Sequence, residues 1–186
     1  TAVRSTLGTA SQRSERDDLT HDMIVVAIGE FAKEVRKHDS LRLITSGNSF
    51  PRESSWHNRR ERKWTKDSPE QFAEMLALTA PEPIDLISVH CYDENLARIG
   101  AAAEVAKKLG KALFVGEFQV KDSIKEESRK PFEDFLAALE THRVPLAAVW
   151  VFDFKAQDKD FSITMENARA WQFKLLQAWN AAAAKQ

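Results

Sequence analysis

The chain has 186 residues, 43% of them hydrophobic, and its 27 basic residues stand against 28 acidic ones. That is apolar material for one sizeable core and too little length for two comfortable domains. The near cancellation of charge excludes an overall field drawing the chain to nucleic acid or to an anionic membrane, and no apolar run approaches the length of a membrane span.

Residues 1–18 are polar, lack the apolar stretch of a signal peptide, and are expected to be a lead-in to a single domain over 19–186. From there Ile24, Ala27, Ile28, Phe31, Ala32 and Val35 recur with helical period, which predicts an amphipathic helix. "SLRLITSGNS" reads as a first strand ending in a Gly-Asn turn. The next stretch, "SFPRESSWHNRRERKWTKDS", is too long for an ordinary connection. Its cluster of Arg59, Arg60, Arg62 and Lys63 reads as a solvated face in preference to an anion patch. Trp56 and Trp64 in the same loop either cap a core or stack on a ligand.

Ser68, Pro69 and Gln71 supply an N-cap, a first-turn proline and a capping-box partner for a second helix. "IDLISVHCY" is then a second strand, and its Cys91, the sole cysteine, excludes an internal disulfide and reads as an inert buried thiol. Leu96 to Leu109 is a helix closed by Gly110, and "KALFVGEF" a third strand. Phe132, Phe135, Leu136 and Leu139 mark another helix, "VPLAAVWVFDF" a fourth strand, and Trp171, Leu175, Ala178 and Trp179 a last helix.

Strict alternation of this kind predicts an α/β fold in which parallel strands are joined by right-handed crossovers. The spacing of the strands admits an open doubly wound sheet or part of a (β/α)8 barrel. A nucleotide-binding open sheet would carry a glycine-rich turn, and the glycines at 8, 29, 47, 100, 110 and 116 are too far apart to build one. A barrel puts its chemistry at the C-terminal ends of its strands. Those ends hold Ser46, Gly47 and Asn48, then His90 and Tyr92, then Glu117, then Trp150 and Asp153. His90 and Tyr92 share a face, and by period two Glu117 is expected to share one with Leu113 and Val115. A carboxylate in such a strand costs several kcal/mol, on the order of a buried ion pair, unless paired, hydrogen-bonded or left at a wet rim.

This set resembles the C-terminal half of a retaining glycoside hydrolase of the cellulase-like group, family five and its relatives. "HCY" matches the His-x-Tyr of the family's sixth strand, Glu117 in "VGEF" the nucleophilic glutamate ending the seventh, and Trp150 the tryptophan ending the eighth; "RLITSGNSFPR" resembles the fifth strand and its loop. The resemblance implies Glu117 as nucleophile with His90 and Tyr92 beside it as the catalytic set. It implies Trp150 as a sugar floor. Asn48 at the first strand end and Trp56 and Trp64 of the long loop are expected as further substrate-binding residues, and no metal or cofactor is expected. The family's Asn-Glu pair, source of the acid/base, has no counterpart here, and the first four strands of the barrel are absent.

A half barrel with two bare edges is expected to close about a two-fold axis as a homodimeric eight-stranded barrel. Three functions remain open on the sequence. One is weak glycoside hydrolysis without the acid/base half, one is a module that binds a β-linked oligosaccharide without cleaving it, and one is a structural half-barrel with no ligand. A fragment of a full-length glycoside hydrolase accounts for the same residues.

Overall fold

The computed structural model describes residue 14 and residues 18–92 and 96–183. Apart from Ser14 and Asp18, the expected lead-in lies outside the described residues.

Helix α1 (His21–His38) starts at Thr20, whose hydroxyl accepts from the Met23 amide at 3.2 Å, and ends with three basic residues that suit the negative end of its dipole. Its buried residues are Gly29 and Ala32, whereas Ile24 is 46% and Phe31 68% exposed. The apolar stripe expected to face a core is therefore covered on one side only.

The first strand read from the sequence reduces to one parallel bridge, Thr45 to Leu86. The reason is local competition for the amides. The Asp39 carboxylate accepts from Leu41 N and Arg42 N at 2.9 and 2.8 Å, and Asp85 accepts from Ile44 N at 2.7 Å. Asp85 also holds Arg36 of α1 at 2.5 Å, so one carboxylate ties the helix to this edge. The long loop that follows contains a short helix, α2 (Ser55–Glu61), and leads to α3 (Pro69–Ala77). The capping box is formed at α3, with Ser68 N donating to Gln71 Oε1 at 2.7 Å.

Three parallel strands make the sheet: β1 (Leu86–Tyr92), β2 (Ala112–Gln119) and β3 (Leu146–Val149), in the order β1-β2-β3. Helix α4 (Leu96–Lys108) joins the first pair and α5 (Arg129–Thr141) the second. Because spatial order repeats chain order, two right-handed crossovers put both helices on the same face. A doubly wound sheet would reverse direction and place helices on both. Helix α6 (Ala170–Ala183) packs beside α5. The core lies between sheet and helices and includes Ile87, Val89, Cys91, Leu113, Val115 and Phe118, with the Phe118 ring stacked on Phe135 at 4.7 Å.

The register breaks at one stretch of β2, in both of its ladders, and that break positions the site. Val89 pairs with Val115, but the next residue, His90, pairs with Glu117, so Gly116 is the extra residue of a β-bulge. The bulge resets the alternation. Leu113, Val115 and Phe118 all enter the core, whereas Glu117 stands beside His90. The expectation that Glu117 shares a face with Leu113 and Val115 is thus corrected, since one inserted residue exchanges the two faces downstream. Glycine suits the bulge because a Cβ at position 116 would lie 3.3 Å from Ser88 Oγ and 3.4 Å from the Phe114 ring.

Candidate functional site

The bulge brings three side chains together on the face away from the helices. Tyr92 Oη donates to Glu117 Oε2 at 2.7 Å, and His90 Nδ1 lies 3.3 Å from the same oxygen. Burial, and then the carboxylate it donates to, push the Tyr92 hydroxyl far above the ordinary tyrosine value. The phenol therefore stays a donor at any neutral pH. Glu117 Oε1 has no partner among the described residues, and the Glu117 side chain keeps 23% of its surface exposed. One oxygen fixed and one unengaged suits a carboxylate to attack an electrophilic carbon, or to accept from a ligand hydroxyl.

Trp150 follows β3 directly. Its amide donates to Phe118 O at 2.9 Å, which sets it beside the Glu117 strand end, and its indole Nε1 donates to Gln157 at 2.8 Å. The half-buried ring is held by that bond, and Gln119 donates to the Trp150 backbone carbonyl at 2.9 Å. Gln119 and Gln172 are both fully buried and exchange hydrogen bonds at 3.2 and 2.7 Å. This pair has little signature in the sequence. Its only signal was an amide two residues past Glu117 in an otherwise apolar strand.

The other expected binding residues separate. Trp64 is 77% exposed and lines an open cavity of about 620 Å³ together with His90, Tyr92 and Arg98. Trp56 instead packs edge-on against His57 and donates to Glu74 at 2.7 Å, joining α2 to α3. Asn48 donates to Ser46 Oγ at 2.9 Å and Thr79 O at 3.3 Å, and lines a different cavity from His90 and Tyr92. Asp153 is exposed, with a left-handed φ of 47°.

Arg98 is a second residue the sequence did not single out. Its guanidinium lies 4.6 Å from the ring centres of both Phe50 and Phe72 and donates to Pro51 O at 2.6 Å. Burial lowers its pKa from the ordinary arginine value, yet it remains a cation at any neutral pH. It pins the loop forming the wall opposite His90. The loop's other end is organised by Asp67, which accepts from the Trp56 and His57 amides and from His57 Nδ1 at 2.8, 3.2 and 2.8 Å. Among the described residues no group of three or more His, Cys, Asp or Glu is arranged to hold a metal ion, and no helix is long and apolar enough to cross a membrane.

No protein-family model matches the sequence, and no curated protein matches it. Solved structures do resemble the fold. The endo-1,4-β-mannanase of Rhizomucor miehei aligns with a TM-score of 0.64 at 16% identity, over 91% of this chain and 48% of that one. The hyperthermostable endo-1,4-β-D-mannanase of Thermotoga petrophila RKU-1 aligns with a TM-score of 0.58 at 16% identity, over 84% of this chain and 51% of that one. Another structure of the Thermotoga petrophila endo-β-1,4-mannanase gives 0.58 at 15% identity, over 87% and 41%. The chain spans about half the length of these neighbours. At such identities the likeness is one of fold, and the fold is that of a partial TIM barrel.

Proposed function

We propose that the chain is half of a glycoside-processing barrel in which Glu117 is the nucleophile of a retaining β-glycosidase reaction. The observation that carries this is the Tyr92–Glu117 hydrogen bond of 2.7 Å at the C-terminal end of two adjacent parallel strands, with Glu117 Oε1 unengaged among the described residues. Glu117 Oε1 would bond to the anomeric carbon as the bond to the leaving oxygen breaks, giving a glycosyl ester that water then hydrolyses. A general acid for the leaving oxygen is not among the residues gathered here. Turnover by the chain itself is therefore slow and confined to leaving groups that depart as anions. The β-mannanase neighbours make a β-mannoside the first substrate to try.

The test is hydrolysis of 2,4-dinitrophenyl β-mannoside, whose phenolate leaves without a proton. Slow turnover that Glu117→Ala abolishes supports the reading, and equal rates in both proteins contradict it. Saturable binding of mannotriose with no turnover would favour a binding module, for which the exposed Trp64 beside His90 and Tyr92 is the specific support.

We also propose that a second copy closes the barrel. Leu41 and Leu43 are 89% and 62% exposed at one edge of the sheet, and Leu146 and Phe152 are 45% and 52% exposed at the other. Edges of this kind, if left bare in a barrel interior, cost about 1–3 kcal/mol for each unpaired backbone group. Light scattering on a sizing column separates the cases. A species of twice 21.1 kDa supports closure by a second copy, and a stable monomer of 21.1 kDa contradicts it.

A further inference from the structure

A second polar cavity, of about 440 Å³, lies between the start of α1 and the α2 loop. It adjoins the cavity that holds His90 and Tyr92, and the two share Arg52, Ser54 and Trp64 as common wall. Three guanidiniums line it, Arg52, Arg59 and Arg62, against a single carboxylate, Asp22. Asp22 is engaged by Arg59, whose nitrogen donates to it at 2.8 Å. Arg52 and Arg62 have no ion-pair or hydrogen-bond partner for their guanidiniums among the described residues, whereas Arg60 and Lys63 of the same basic run are paired with Glu74 and Glu61. Arg60, Arg62 and Lys63 are exposed, as a solvated face requires, while Arg59 is half-buried against Asp22 and Glu74. The partnered members of the cluster hold the loop together, and Arg62 is left over at the cavity.

A further group in the cavity wall lacks a partner. His21 Nδ1 is buried and makes no hydrogen bond, lying 3.8 Å from Asp22 Oδ1. Burial, and then Arg59, lower the His21 pKa, so the ring is neutral when the cavity is empty at ordinary pH. Two guanidinium forks unpaired among the described residues leave donors over at this cavity, and the His21 ring nitrogen adds a polar atom with no partner. The exposed Trp64 indole beside them presents an apolar plane, which an inorganic anion has no use for and a sugar ring does.

We infer that this cavity is a distal subsite for an acidic sugar, with the carboxylate of a uronic acid held by Arg52 and Arg62 and its ring against Trp64. The inference rests on the glycan reading of the Glu117 site, which it deepens by naming the substrate class as a β-linked oligosaccharide bearing a uronic acid. The shared wall gives one chain of sugars a continuous path from Trp64 to His90 and Tyr92.

The test is calorimetric titration of the 186-residue chain with cellobiouronic acid and, in parallel, with cellobiose, which differ only in carboxylate against hydroxymethyl. The expected result is a preference for the acid of about tenfold at low salt, falling as salt is raised. The double variant Arg52→Gln, Arg62→Gln is expected to bind the acid no more tightly than cellobiose while keeping its far-ultraviolet dichroism. Equal binding of acid and neutral sugar overturns the acidic subsite and leaves the glycan reading standing. Binding of the acid alone, lost in the double variant, supports the subsite even if Glu117 proves inert toward mannosides. Inorganic phosphate binding as tightly as cellobiouronic acid shows a general anion site and overturns the sugar assignment, as does the absence of any binding.

Discussion

Tyr92 donates its hydroxyl proton to Glu117 across 2.7 Å, and Tyr92 is the sole tyrosine of the chain, so its titration reads this one bond. Tyrosinate absorbance in the folded protein is expected to appear only well above the ordinary value of about 10. Glu117→Gln removes the charge but not the burial, and is expected to bring the titration part of the way back. Because the folded state keeps a proton that the unfolded state releases, stability falls as pH rises beyond about 10. An ordinary titration in the folded wild type contradicts the geometry.

Gly116 and Ser88 form a coupled pair beneath Glu117. The Ser88 hydroxyl is buried without a hydrogen-bond partner, so Ser88→Ala is expected to be neutral or to stabilise by up to about 1 kcal/mol. Gly116→Ala places a methyl 3.3 Å from that hydroxyl and is expected to cost about 1–2 kcal/mol. The double variant should recover at least about 0.5 kcal/mol of that loss, because the two atoms that collide include the one removed. Urea denaturation of the four proteins measures the coupling, and strict additivity contradicts it.

Arg169 clamps the turn that follows β3. It is 3% exposed and donates to Ser123 Oγ and to the carbonyls of Asp158, Lys159, Asp160 and Ser162. Arg169→Ala leaves those carbonyls without a donor and is expected to cost about 3 kcal/mol. Protease cutting within 155–162 should rise in step. A loss under about 1 kcal/mol would mean that water replaces the guanidinium without penalty.

Asp67 should govern the acid limit of the α2 loop. Burial raises its pKa, but the amides of Trp56 and His57 and the His57 ring outweigh that and hold the carboxyl below the usual aspartate range. The unfolded state then takes up a proton first, so stability is present above about pH 4 and is lost as pH falls through the lower, folded value. Asp67→Asn is expected to remove this acid-labile contribution. Near-ultraviolet dichroism, with Trp56 as the nearby reporter, follows it, and an unchanged acid profile in the variant contradicts the assignment.

The parts of the fold that are written in local patterns were legible. The α3 capping box, the helical period of α5 and the strands holding "LISVHCY" and "ALFVGEFQ" stand as read. The first strand was not, because Asp39 and Asp85 satisfy amides that period-two reasoning assigns to a ladder. The facing of Glu117 was misread for a related reason. Gly116 breaks the alternation, and a lone glycine in an apolar run does not announce whether it is a bulge. Trp56 and Trp64 look alike in sequence, yet one donates to Glu74 and the other is left at a cavity wall. That difference is set by partners far along the chain, as are the Gln119–Gln172 exchange and the placing of Arg98 over the Phe50 and Phe72 rings.

The most direct test of Glu117 as nucleophile is intact-protein mass spectrometry after incubation with 2,4-dinitrophenyl 2-deoxy-2-fluoro-β-mannoside. The fluorine slows the second step, so a glycosyl ester formed in the first accumulates. One added sugar per chain is expected, mapped by peptide sequencing to Glu117 and absent in Glu117→Gln. An unlabelled protein after the dinitrophenolate of a reactive control enzyme has been released in full, or a label that persists in Glu117→Gln, would contradict it.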